Sequence, residues 1–113
     1  MLLKFTSYNI SRLEEEVRLP FSTLLGTGKL SDIAKLVKAG MNVDDMELVH
    51  SEIDKFLAEG KSINDLLVYI VEKLEQDHFL EPGTKELMMQ EVKKQKQLLS
   101  PKSGEKVKEQ PST

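Results

Sequence analysis

The chain has 113 residues, 39% of them hydrophobic, which is room for one compact domain with a modest core. Sixteen Lys and Arg stand against 19 Asp and Glu, a formal net charge of -3, so no global field draws the chain to nucleic acid or to an anionic lipid surface. With no cysteine, a disulfide framework and a thiolate metal site are excluded, and a reducing cytosol is tolerated.

The charge is unevenly placed. Met1 to Thr84 holds nine Lys and Arg against fifteen Asp and Glu, a net of -6, whereas Lys85 to Thr113 holds seven Lys against four Glu, a net of +3. The two ends are expected to meet different surfaces. Met-Leu-Leu-Lys turns polar by Thr6, so it offers no apolar signal core, and no run approaches the roughly 20 apolar residues of a membrane span. The expectation is a cytoplasmic protein with no membrane partner.

Along the chain, Leu2, Leu3 and Phe5 precede a predicted helix over Ser7 to Val17, where Ser11 and Glu14 have capping-box spacing and Ile10, Leu13 and Val17 recur on one face. Pro20 opens a short element, Phe21 to Leu25, which Gly26 and Gly28 end. Ser31 can cap a helix with a buried side of Ile33, Ala34, Leu36 and Val37, stopped by Gly40. Asp44 or Asp45 can cap the next, with Met46, Val49, Ile53, Phe56 and Leu57 at three-and-four spacing up to Gly60, and Glu47, Glu52 and Lys55 opposite. Ser62 and Asp65 repeat the cap-and-acid pattern before the most continuous apolar stripe: Ile63, Leu66, Leu67, Ile70, Val71 and Leu74. Val68 to Val71 carry some strand propensity, which the cap and stripe outweigh.

Phe79 and Leu80 close this region, Pro82-Gly83 breaks the chain, and Thr84 starts a last helix predicted to run to about Leu99. Lys93 to Gln97 interrupt its apolar seam, so it should pack loosely. Residues 100 to 113, rich in Pro, Ser, Lys and Glu, cannot repay ordering entropy and are expected to form a disordered tail. The predicted fold is all-α, a small bundle of about five to six short helices, with a core domain over 1–81, a loosely packed C-terminal helix over 82–99 and the tail.

Chemistry is sparse. His50 and His78 are the two histidines, and a zinc site would need further carboxylate ligands at no recognisable spacing. Asp77 and His78 are adjacent and point from different helix faces. Glu14-Glu15-Glu16 and Asp44-Asp45 fan outward from consecutive positions, whereas acid catalysis needs carboxylates facing each other across a cleft. Gly26-Thr27-Gly28-Lys29 lacks the glycine spacing and following Ser or Thr of a phosphate loop. No catalytic residue, metal or cofactor is predicted, and the chain is read as a non-enzyme. Ile10 to Leu25 has the shape of a helix-turn-helix with Ser22 and Thr23 where recognition residues would lie, but its second helix is nearly uncharged and the surrounding body is acidic.

Met88-Met89 is the most distinctive pair. Two methionines commonly fill gaps in a small core; on a thinly seamed helix with a basic side they also suit an adaptable patch for apolar partner segments. The candidate partner-binding set is Leu87, Met88, Met89, Val92, Lys93 and Lys96.

Lys4-Phe5-Thr6-Ser7 leading into ISRLEEE, then KLSDIAKLVKAGM, then ELVHSEIDKFLAEGKSINDLLVYIVEKLEQDHFL, together resemble the tail assembly chaperones of long-tailed, siphovirus-type bacteriophages and prophages. Glu52 to Ser62 carries most of the likeness, a helix, a Glu-Gly turn and a Ser-capped helix, and the resemblance spans about Leu3 to Leu80. It implies a helical protein that coats the tape measure protein, keeps it soluble, helps bring tail tube protein to it, and is absent from the mature virion. It further implies host cytoplasm, the short form of a frameshifted pair, and room for self-association into oligomers. The chain departs from the commoner pattern in lacking a tryptophan or large apolar cluster over Leu36 to Met41. The alternatives are a small helix-turn-helix DNA-binding regulator and a structural connector or tail adaptor retained in the virion.

Overall fold

The computed structural model describes residues 1–90, and every regular element among them is an α-helix. The contacts divide the chain into two units, Met1–Pro82 and Gly83–Thr113. The first contains α1 (Ser7–Val17), α2 (Phe21–Thr27), α3 (Leu30–Met41), α4 (Met46–Ala58) and α5 (Ile63–Gln76). In the second, residues 84–90 are helical. The predicted continuation to Leu99 and the tail over 100–113 lie outside the described residues.

The apolar spacing of each segment selects its helix, but several ends fall where other groups supply the missing hydrogen bonds. α1 starts one turn before the Ser11–Glu14 pair: the Thr6 hydroxyl accepts from the Asn9 N–H, leaving Ser11 exposed inside the helix. Glu14 turns instead to the next element, where its carboxylate accepts the Phe21 N–H at 2.9 Å and satisfies a donor that Pro20 leaves uncapped. Gly26 lies within α2, and Gly28, at φ 70°, ends it. Ser31 also falls inside its helix. α3 begins after Lys29, with no side-chain cap, and runs through Gly40 to Met41 before Asn42 closes it in the left-handed region at φ 57°. At the α4 start Asp45 rather than Asp44 is the cap, accepting from the Glu47 and Leu48 N–H groups. Ser62 and Asp65 form a complete capping box on α5, each side chain bonding the other's backbone N–H at 3.1 and 2.9 Å.

α3 is the central element. It packs against α1, α2, α4 and α5, and Ile33, Ala34, Leu36 and Val37 on it are fully buried. Val49 and Ile53 from α4, Leu66, Ile70 and Leu74 from α5, Ile10 and Leu13 from α1, and Leu24 from α2 are the other helical members of the core. Burying each large side chain contributes roughly 1.5–3 kcal/mol.

Part of the core comes from outside the helices. Leu3 and Phe5 of the extended amino-terminal arm are buried. The arm is fastened along its length: the Lys4 N–H donates to the Gly40 carbonyl at 2.8 Å, the Phe5 N–H to Asp77 Oδ2 at 2.8 Å, and the Tyr69 hydroxyl to the Met1 carbonyl at 2.9 Å. Gly40 permits this approach, since a Cβ there would lie 2.9 Å from Phe5 Cζ and 3.0 Å from Leu3 Cδ2. The glycine expected to stop α3 is therefore a contact surface for the arm.

Candidate partner-binding surface

Gly83, at φ 94°, turns the chain after Pro82, and its carbonyl accepts the Leu87 N–H at 3.2 Å in the first turn of the helical residues 84–90. Within this stretch Leu87 is 66% exposed and Met89 37%, while Met88 is half-buried. Successive helical residues are rotated by about 100°, so Leu87 and Met89 are separated by roughly 200° around the axis. The three consecutive apolar residues thus fan across the helix and do not by themselves make one stripe. Val92, Lys93 and Lys96, the rest of the predicted set, lie outside the described residues.

The other sequence candidates occupy ordinary surroundings. His50 and His78 are both exposed, His78 in the left-handed region at φ 71°. Among the described residues no group of three or more His, Asp or Glu is placed to hold a metal ion, and no helix is long and apolar enough to cross a membrane. Thr27, the last residue of α2 in the glycine-flanked stretch, donates its hydroxyl to Asp32 at 2.6 Å and accepts the Lys29 N–H at 3.3 Å, a local brace between α2 and α3. In the α1–α2 pair, Ser22 and Thr23 are exposed, but the Glu14 carboxylate sits on the α2 N-terminus. That places negative charge where a helix end would otherwise favour a phosphate.

Asp77 has a role the sequence did not suggest. Its side chain is 12% exposed and accepts both the Phe5 N–H and, at 3.0 Å, the Lys4 ammonium. Burial pushes its carboxyl up, but the Phe5 hydrogen bond and the Lys4 charge outweigh that and hold it below the usual carboxylate range. Asp77 is the clasp of the amino-terminal arm. No family model, no curated protein and no solved structure matches the chain.

Proposed function

We propose that this chain is a protein-binding helical module that serves as a tail assembly chaperone, holding the tape measure protein of a long-tailed phage in soluble form and helping tail tube subunits reach it. The observation that carries the reading is the exposure of Leu87 and Met89, two large apolar side chains on one short helical stretch. Isolated exposed apolar residues are common, but two of them within three residues of a segment that also carries a flexible Met-Met pair suit recognition of apolar helices. Because the two project to opposite sides, the segment suits insertion between two partner helices better than docking along one groove.

The resemblance of Leu3 to Leu80 to tail assembly chaperones supplies the partner. A tape measure protein is a long helical chain whose apolar stripes stay exposed until tube subunits surround it. Many copies of a small acidic body bound along one such chain would keep it soluble, and each weak contact stays reversible while the array gains avidity. Tube subunits that bind more strongly then displace the copies by mass action, without an energy source.

Co-expression with a tape measure protein tests the reading. The expected result is a soluble complex with the native chain and an insoluble tape measure protein when Leu87→Glu and Met89→Glu are combined, the variant chain itself staying folded because neither residue is buried. A tape measure protein equally soluble without the chain would refute it.

A further inference from the structure

Within Met1–Pro82, α1 and α3 leave a narrow cleft between them. Asn9, Arg12 and Glu16 line it from α1, Lys35 and Lys38 from α3, with Asn42 at the end of α3. We propose that this cleft binds a carboxylate group. The inference is independent of the partner proposed above, since it rests on other residues and on another unit.

Three observations support it. The first is charge: three cations and one carboxylate line the walls. Two of the cations are lightly committed. Arg12 pairs with Asp44 at 3.1 Å, but the side chains are 51% and 84% exposed, and such pairs are weak. Lys35 reaches Asp32 only at 4.0 Å, and the Thr27 hydroxyl already donates to that carboxylate at 2.6 Å. Lys38 is held more firmly, by Glu16 at 3.2 Å. An incoming carboxylate therefore has Arg12 and Lys35 available at little cost.

The second observation is Asn9, at 8% exposure the buried polar residue among those described. Its backbone N–H is satisfied by Thr6, while its side-chain amide takes no hydrogen bond within the described residues. Buried amides are nearly always paired, and an unpaired one is destabilising, so a donor amide on this wall points to a guest acceptor in the cleft. The third is size. The cavity measures about 30 Å³, room for about two water-sized atoms. Two carboxylate oxygens fit this space. Leu13 and Val43, also on the lining, suit the carbon chain behind the carboxylate.

The test is an NMR titration of the full, isotopically labelled chain, following the Asn9 side-chain amide and the Arg12 guanidinium. The probes are sodium acetate, N-acetylglutamate amide, and a short peptide with a free or an amidated C-terminus, with sodium chloride at matched ionic strength as control. Saturable shifts with acetate and none with chloride are expected. Arg12→Gln and Lys35→Gln should each weaken binding about threefold, the scale of one exposed charge, and Glu16→Gln should tighten it about threefold by removing the repelling carboxylate and freeing Lys38. The tightening arm cannot arise from misfolding. Stronger binding of the free-terminus peptide than of its amide would identify a chain end as the source, stronger binding of the glutamate amide a side chain, and acetate alone a small free acid. Shifts equal to those of chloride, or no tightening in Glu16→Gln, would overturn the proposal.

Discussion

At Gly40, the absence of one carbon sets how closely the amino-terminal arm lies on α3. An added methyl would meet Phe5 Cζ at 2.9 Å and Leu3 at 3.0 Å, and overpacking of this kind typically costs about 1–3 kcal/mol. Alanine's better helix propensity returns about 1 kcal/mol, so Gly40→Ala should lower stability by about 1 kcal/mol, read as a lower denaturant midpoint at unchanged slope. Gly26 reverses the sign. It is exposed inside α2, where an added methyl would meet nothing within 4 Å, and Gly26→Ala should gain about 0.5–1 kcal/mol. Asp77 yields a pH signature. Its carboxyl titrates lower in the fold than in the unfolded chain, so its contribution is present above the ordinary carboxylate range and is lost as pH falls through the lowered value. Asp77→Asn keeps an acceptor for the Phe5 N–H but removes the charge facing Lys4. It should cost about 1 kcal/mol near neutral pH, the difference between a charged and a neutral acceptor. Paired unfolding curves should converge in acid; a gap that persists there would show that the charge is not responsible.

At the scale of helices, the capping residues separate real ends from apparent ones. Ser62→Ala should cost about 1 kcal/mol because it opens the capping box of α5, while Ser11→Ala and Ser31→Ala, both exposed inside helices, should stay within about 0.5 kcal/mol of the native chain in the same measurement. The apolar periodicity made the helices themselves legible: the Ser7 to Val17 range is matched residue for residue, and Ile33, Leu36, Val37, Leu66, Ile70 and Leu74 are buried as their spacing requires. The ends were less legible because a local pattern competes with whatever the fold brings near. Ser11 and Glu14 have the right spacing, but Thr6 starts the helix earlier and Glu14 is taken by Phe21. Gly40 looks like a terminator until the arm that crosses it is seen. Asp77 could not be assigned from sequence, because its partners Lys4 and Phe5 lie more than 70 residues away.

For the whole molecule, the all-α architecture follows from pattern alone, whereas a binding role needs surfaces that pattern shows only in part. The sequence singled out the Met88-Met89 pair, but consecutive residues on a helix point in different directions, and in place of one patch the stretch carries two exposed side chains, Leu87 and Met89, on opposite sides. The α1–α3 cleft was invisible in sequence because Asn9 and Arg12 meet Lys35 and Lys38 only after both helices pack on the core. The acidic balance of Met1 to Thr84 and the basic balance beyond it accord with the proposed division of labour between a body and a partner-binding segment. The most direct test of that account is hydrogen exchange of the full chain, alone and mixed with a purified helical segment of a tape measure protein. A complex in which amides of residues 84–90 gain protection is expected; no complex, or one that protects only Met1–Pro82, would contradict the proposed function.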